Sequence, residues 1–240
     1  MYGMLVWTED GKRGLERREI LRLPFLCAAV RRRPRMPERL IRRRVVRAAK
    51  TLHKQGAGRI VTPEDFTYGA ELQQYGLSPV STLSLRRELA ADWVDAELAQ
   101  RGMRPAGTKA AVYADQITGE LVRTVTELSL RHRYVALCVP RGGEELARRL
   151  RREYGVSLEL ARNGGELEGA GAVAAFSPAE GIEHPLVLRI YDATQPMPEL
   201  SLPMEIAAQI PRGVCREQFL AVLREAGVLR KGELSFACRA

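Results

Sequence analysis

The amino-acid sequence predicts an α/β fold in which an open, mostly parallel sheet of βαβ units is flanked by helices. Over residues 109–160 three short apolar runs alternate with two amphipathic stretches, in the order strand, helix, strand, helix, strand. This order predicts parallel strands joined by right-handed helical crossovers. With 240 residues, 45% of them hydrophobic and 28% charged, the chain has the composition of a globular protein with a sizeable core.

The N-terminal part opens with two predicted strands, residues 4–7 and 21–30. A long amphipathic helix follows over residues 38–55, with one apolar face and Gly56 and Gly58 at its end. Its predicted buried positions are Ile41, Val45, Ala48 and Leu52. The remaining elements of this part are a strand at 59–62, a helix at 64–74, a strand at 77–80, and a helix that begins at Ser81, Thr82 or Ser84 and ends before Gly102.

The C-terminal part repeats the alternation of strands and helices. Its predicted strands are residues 109–114, 134–139, 156–160, 171–176, 186–191 and 233–238. Its predicted helices are residues 118–132, 142–154 and 216–226. Residues 194–211 contain several prolines and receive no assignment.

We predict two regions, a basic α/β half at residues 1–104 and a Rossmann-like half at 105–240, with a single compact domain as the alternative. Residues 60–63 and 75–78 resemble residues 138–140 and 154–157: in both, an apolar strand ends at proline and a Tyr-Gly-apolar-Ser junction opens the next strand. The chain therefore reads as two tandem βαβαβ halves, residues 20–102 and 109–160. Duplication and the shared constraints of βαβ units both explain this similarity.

Ligands of open α/β sheets bind outside the carboxyl ends of the strands, so the loops after the strands are the places to search for a site. Residues 113–119, after the first strand of the C-terminal half, hold only Gly119 where a dinucleotide fold needs several glycines, and Asp115 adds a negative charge. The order of elements over residues 109–178 resembles the cofactor domains of shikimate-dehydrogenase-like and glutamyl-tRNA-reductase-like proteins. That resemblance implies a Rossmann-like fold, whereas the missing glycines favour a degenerate site.

A better candidate for an anion site is the turn from Pro140 to Gly143, where two glycines expose backbone N–H groups at a helix start and Arg141 adds charge. A flexible turn with no ligand is the alternative, because Glu144 and Glu145 follow at once. The predicted ligand, of unidentified chemistry, is a nucleotide or small anion. The candidate ligand-binding residues are Asp115, Thr118, Gly119, Arg141, Gly142, Gly143, Ser177 and Asp192.

A third hypothesis is an enzyme in which Asp115, Arg141 and Asp192 share a pocket. No serine-nucleophile, phosphate-loop or zinc-protease motif occurs, so the sequence identifies no catalytic residue, no metal site and no cofactor. Glu64 and Asp65 offer paired carboxylates at a helix start, although acidic residues there commonly complement the helix dipole. The three histidines stand at predicted helix ends or in a loop, where catalysis is not favoured.

Charge is distributed unevenly along the chain. Residues 1–59 hold 17 Lys or Arg against 5 Asp or Glu, while the whole chain carries a net charge of +9. The basic positions Arg39, Arg43, Arg47 and Lys50 of the first long helix are candidates for contact with nucleic acid or another anionic surface. A solvated helix face is favoured over nucleic acid, because no aromatic residue lies between Phe25 and Phe66 to stack on bases.

Cysteine spacing and hydropathy predict a soluble, cytoplasmic protein. Four cysteines lie far apart, and Cys27 and Cys138 fall within apolar predicted strands, as buried reduced thiols do. No apolar run reaches the length of a membrane span, and the N-terminus lacks the apolar core of a signal peptide. The sequence does not establish the oligomeric state.

Overall fold

The computed structural model describes residues 1–9, 14–178 and 181–237, which divide into two compact units. The first unit comprises Met1–Thr82 and Leu202–Glu233, and the second comprises Leu83–Ser201 and the residues from Leu234 onward. The strands are β1 (Tyr2–Thr8), β2 (Leu15–Ile20), β3 (Leu23–Arg31), β4 (Arg59–Val61), β5 (Ser78–Pro79), β6 (Ala110–Tyr113), β7 (Val135–Cys138), β8 (Glu159–Ala161), β9 (Ala172–Ala175), β10 (Val187–Arg189), β11 (Leu200–Ser201) and β12 (Ser235–Phe236). The helices are α1 (Glu38–Lys54), α2 (Gly69–Gln73), α3 (Leu83–Glu88), α4 (Ala90–Gln100), α5 (Gly119–Arg131), α6 (Gly143–Tyr154), α7 (Met204–Ala207) and α8 (Arg216–Glu225).

The first unit contains a sheet in the order β2-β3-β1-β4-β5, parallel except for β2. The predicted strand at residues 21–30 is wrong at its start, because Leu21 and Arg22 connect β2 to β3 as a two-residue turn. Both residues have a positive φ, 51° and 64°, as a type I′ hairpin turn requires. The sequence does not reveal β2, because charged residues fill its centre, a composition typical of an edge strand.

The first long helix is confirmed as α1, which packs its apolar face on the sheet. Ile41, Val45 and Leu52 are buried as predicted, while Ala49 takes the place predicted for Ala48. The helix predicted at 64–74 is shorter, since α2 begins at Gly69. Residues before it bring the rings of Phe66 and Tyr68 to 6.0 and 6.1 Å from the ring of Trp7, and this aromatic packing replaces helix.

The segment that carries α7 and α8 belongs to the first unit, although 119 residues of the second unit separate it from β5 in sequence. The ring of Phe219 in α8 stacks on Phe25 of β3 with 5.4 Å between centroids. Gln218 Oε1 accepts a hydrogen bond of 2.8 Å from the backbone N–H of Thr62, after β4. Arg59 donates to both carboxylate oxygens of Glu225. These contacts hold α8 against the sheet.

The second unit contains a fully parallel sheet in the order β10-β9-β6-β7-β8. Counted along this unit, the order is fifth, fourth, first, second, third, the order of a Rossmann sheet without its sixth strand. Both sheets are flanked by helices, so the predicted α/β class with mostly parallel strands is confirmed. The core of the second unit includes Trp93, Val112, Leu121 and Leu137, all at most 1% exposed.

The helix α4 packs against β9 of the second sheet, and both α3 and α4 pack against α5. They lie in the part of the chain that the sequence assigns to the first half, whereas the compact units divide after Thr82. The sequence also predicts one helix here, but Leu89 separates α3 from α4. The domain boundary at residue 104 stays a prediction. Local periodicity does not show which distant parts of the chain pack together.

The two halves of the proposed duplication differ in topology. The strands β6, β7 and β8 are neighbours in sequence order, whereas β1 lies between β3 and β4. What the two segments share is helix-ending chemistry: Gly76 and Gly155 both have a left-handed φ, 65° and 70°, after a helix. Glycine is favoured there because it has no Cβ to strain that conformation, so the two junctions share a capping requirement. Duplication of the two halves stays a prediction.

The last strand among the described residues is β12, which pairs antiparallel with β11. The strand predicted at 233–238 is therefore shortened, and Cys238 lies outside the described residues. Cys27 and Cys138 are buried free thiols, and burial raises the pKa of each. Among the residues described, no helix has the length and apolar character that a bilayer crossing needs.

Candidate functional site

The carboxyl ends of β6, β7, β9 and β10 lie at one edge of the second sheet because these strands are parallel. The chain order reverses between β6 and β9, which is the position where ligands of such sheets bind. There the backbone N–H of Asp115 donates a 2.8 Å hydrogen bond to Ser177 Oγ, which joins the two loops. The exposed carboxylate of Asp115 accepts a longer bond, 3.4 Å, from the hydroxyl of Tyr113.

Thr118 and Gly119 form the start of α5. Thr118 Oγ1 accepts a 3.2 Å hydrogen bond from the N–H of Leu121, so this side chain caps the helix. Gly119 has a φ in the ordinary negative range and no neighbour within 4 Å of the place a Cβ would occupy. Neither residue forms the tight turn that brings backbone amides onto a pyrophosphate, as the missing glycines predict.

Gly142, in the loop after β7, packs against Ile117, in the loop after β6. Gly142 has a φ of +81°, and a Cβ added there would lie 2.9 Å from Ile117 Cδ1. Gly143 is buried, with Val139 Cγ2 3.1 Å from its corresponding position. Arg141 and Gly142 are exposed at the start of α6, which has no side-chain cap.

A cleft of about 750 Å³ opens between α5 and α6 beside this turn. Its apolar side chains are Ile117, Val122 and Leu146. Its charged side chains are Arg141, Glu145, Arg148, Arg149 and Arg152. Of the residues predicted for a ligand site, Arg141 and Gly142 line the cleft, whereas Asp115 and Asp192 do not.

The arginines of α6 were missed as site residues. Arg148, Arg149 and Arg152 recur at the three- and four-residue spacing that places side chains on one face of a helix. That signal is present in the sequence, but 33 of the 38 basic residues of this chain are arginine, so an arginine stripe stands out little.

Asp192 lies in a turn of its own after β10. Its carboxylate accepts hydrogen bonds from the N–H and hydroxyl of Thr194, at 2.8 and 2.6 Å, and these bonds lower its pKa. The buried guanidinium of Arg86 donates to the carbonyl of Asp192 at 3.1 Å and to that of Gln195 at 2.6 Å. Asp192 has no described contact with Asp115 or Arg141, so these three side chains form no cluster.

The basic stripe of α1 is exposed to solvent. Arg39, Arg43, Arg47 and Lys50 all lie on the outer face, and none of them forms an ion pair with a described residue. Its neighbour Arg42 pairs with Glu71 of α2. The four predicted positions are therefore accessible to an anionic partner.

Asp65 and two of the three histidines form contacts with other residues of their own unit. Asp65 accepts hydrogen bonds from Arg32 and from Trp7 Nε1, and although burial acts to raise its pKa, these bonds lower it. The buried His132 contacts Asp95 Oδ1 through Nε2 at 2.7 Å. His184 Nε2 lies 2.8 Å from the carbonyl of Ala170. Within the described ranges no cluster of three or more metal-ligating side chains is found.

Substitution of Gly142 tests whether the turn shapes the cleft. We expect Gly142→Ala and Gly155→Ala each to lower the free energy of unfolding by about 1–2 kcal/mol, because both impose a left-handed φ on alanine. Only Gly142→Ala should also shift the Ile117 methyl resonance, since no atom lies within 4 Å of the position of a Cβ at residue 155. Urea unfolding and methyl NMR measure the two effects, and an unmoved Ile117 resonance in Gly142→Ala would contradict the packing described.

The fold and the cleft together define an α/β protein with a Rossmann-order sheet in its second unit. No protein-family model matches the chain, and no curated protein sequence matches it. Three loosely similar solved structures are D-lactate dehydrogenase with NAD+ from Lactobacillus jensenii (11% identity, 63% of this chain, 56% of that chain, TM-score 0.28), shikimate 5-dehydrogenase from Listeria monocytogenes with shikimate and NAD (8%, 73%, 68%, 0.28), and quinate dehydrogenase from Corynebacterium glutamicum with NAD (11%, 74%, 70%, 0.29). The aligned part of the first is little more than half of that protein's length, and similarity this low carries no argument about activity.

Proposed function

We propose that the second unit binds a small anionic ligand of the nucleotide class in the cleft between α5 and α6. The observation that carries this proposal is the composition of the cleft, in which three aliphatic side chains stand beside four arginines and one glutamate. An apolar surface suits a base or another flat group, and the arginines suit phosphate. The volume of about 750 Å³ lies within the range of small-molecule sites.

The cleft also favours one orientation of the ligand. Asp115 follows β6 with an exposed carboxylate and would repel phosphate at the start of α5. At the start of α6, Arg141 and the backbone amides after Gly142 offer positive potential instead. We therefore place the phosphates near Arg141 and the apolar part of the ligand against Ile117 and Val122.

A screen by thermal unfolding tests this proposal. A ligand at about a hundred times its dissociation constant stabilises by about 2.7 kcal/mol, which raises Tm by several degrees. We expect this shift with AMP, ADP, NAD+ or ribose 5-phosphate and not with adenosine, which lacks phosphate. No shift with any of the phosphate compounds at millimolar concentration would contradict the proposal.

Two variants of α6 assign the shift to the cleft. We expect Arg148→Glu to abolish most of the ligand-induced shift, since this side chain lines the cleft. Arg151→Glu is the matched control, because Arg151 is an exposed neighbour on the same helix turn that does not line the cleft. An equal loss in the control would indicate a diffuse effect of charge instead of a site.

Binding of nucleic acid or of another anionic surface through α1 is the second candidate function. It is favoured by the four exposed cations without ion pairs, Arg39, Arg43, Arg47 and Lys50. Such binding should weaken steeply with salt, and charge reversal of the first three residues should remove it. An enzymatic role stays a hypothesis and a cytoplasmic location a prediction from the sequence, which identifies no cofactor.

A further inference from the structure

A second cleft, of about 600 Å³, lies in the first unit at the carboxyl ends of β1 and β3. These strands are adjacent and parallel, so the loops that follow them meet at one edge of the sheet. The cleft is lined by residues 7–9, by residues 32–36 and by Glu38 and Ile41 at the start of α1. It therefore occupies the kind of position where α/β sheets place ligands.

One arginine of this cleft is held in a fixed orientation. Arg32 pairs with Asp65, and its guanidinium lies 5.2 Å from the centroid of the Trp7 ring. Trp7 Nε1 donates a 2.7 Å hydrogen bond to the same carboxylate. Arg32, Trp7 and Asp65 are thus held together by direct contacts. Because Trp7 lines the cleft, the NMR resonance of its indole N–H is sensitive to changes within the cleft.

Two further arginines of the cleft, Arg33 and Arg35, have guanidinium N–H groups without an acceptor among the described residues. Arg33 uses Nε for a 3.4 Å bond to the carbonyl of Glu9, and its other guanidinium nitrogens have no acceptor among the described residues. Arg35 has no side-chain partner within the same part of the chain, and its φ of +63° is a left-handed conformation that is costly for a residue other than glycine. Such conformations persist where the surrounding structure fixes them, often at ligand sites.

The start of α1 adds backbone donors. Pro37 provides no side-chain cap, and the N–H groups of Glu38 and Arg39 have no described acceptor. Carboxylates are present as well, because Glu9 and Glu38 line the cleft. The cleft consequently offers donors for an oxyanion beside acceptors for hydroxyl or amino groups.

We propose that this cleft binds a small polar molecule that carries a carboxylate or phosphate together with hydroxyl or amino groups. Arg33, Arg35 and the first amides of α1 hold the oxyanion, while the carboxylates of Glu9 and Glu38 contact the hydroxyl or amino groups. The site belongs to the first unit, so it does not depend on the nucleotide cleft of the second.

Indole NMR of the full chain tests this proposal, because the chain contains only two tryptophans, Trp7 and Trp93. Inorganic phosphate and L-malate are titrated separately at constant ionic strength. We expect the Trp7 indole resonance to shift to saturation with at least one of them, while that of Trp93, 1% exposed in the second unit, stays in place. The probe that saturates distinguishes phosphate from carboxylate as the oxyanion.

Paired variants assign the shift to the cleft. Arg33→Gln combined with Arg35→Gly, which retains the left-handed backbone, should raise the apparent dissociation constant about tenfold or more. Arg17→Gln combined with Lys54→Gln removes the same charge from exposed positions outside the cleft and should leave the constant unchanged. A non-saturating Trp7 shift with both probes, or equal weakening in both variants, would overturn the proposal.

Discussion

Arg86→Met is expected to lower the free energy of unfolding of the second unit by about 3 kcal/mol or more. Arg86 is only 1% exposed, and its guanidinium donates to the carbonyls of Asp192 and Gln195 and lies 5.7 Å from the Trp93 ring. Methionine fills most of the volume but donates no hydrogen bond, so two carbonyls lose a charged donor. Each buried acceptor left without a partner costs about 1–3 kcal/mol.

Urea unfolding of Arg86→Met measures this loss, with Arg123→Met as the control. Arg123 is exposed on α5, and replacement of such a surface residue usually changes stability by less than about 0.5 kcal/mol. Amide hydrogen exchange should also accelerate in the turn at residues 192–195, which Arg86 holds. Equal stability of the two variants would show that Arg86 does not support this turn.

Phe219→Ala is expected to lower the free energy of unfolding of the first unit by about 3–5 kcal/mol. The Phe219 ring is fully buried and stacks on Phe25 of β3, so its removal leaves a cavity between α8 and the sheet. Hydrogen exchange of the backbone amides in β3 and β4 should accelerate, although these strands lie more than a hundred residues away in sequence, because α8 belongs to their unit.

Hydrogen exchange of the amides in β3 and β4 measures this prediction. Met204→Ala, at a position 83% exposed in the same returning segment, serves as the control and should leave these amides protected. Combination with Phe25→Ala completes a double-mutant cycle, in which aromatic pairs typically couple by about 0.5–1.5 kcal/mol. Unchanged exchange in β3 and β4 would contradict the assignment of α8 to the first unit.

Local sequence patterns predict the second unit well. Strands β6 and β7 and helices α5 and α6 lie within one or two residues of their predicted bounds, because apolar runs and caps mark them. Thr118 caps α5, and Gly155 ends α6 in a left-handed conformation. Where local signals and tertiary packing agree, periodicity is sufficient.

The first unit shows what local patterns miss. The strand β2 is hidden because its centre is charged, and residues 64–68 leave the helical conformation to pack Phe66 and Tyr68 against Trp7. The return of residues 202–233 depends on contacts such as Thr62 with Gln218, which join distant parts of the chain. Tertiary contacts of this kind leave no periodic trace in the sequence.

The candidate site was predictable only in its general location. The strand-end loops were identified from the βαβ order, and Arg141 and Gly142 do line a cleft there. The arginines of α6 were not predicted as site residues, because a cleft between two helices depends on how the helices pack together. Asp192, which the loop argument selects equally well, instead holds its own turn through Thr194.

Methyl NMR of Ile117 tests whether a nucleotide binds between α5 and α6. ADP is titrated into protein labelled at isoleucine methyl groups, with the Ile117 resonance assigned from an Ile117→Val variant. We expect a saturable shift of Ile117, which lines the cleft, and no shift of Ile190, a fully buried core residue of the same unit. An Ile117 resonance that does not move, or that moves without saturation, would contradict nucleotide binding there.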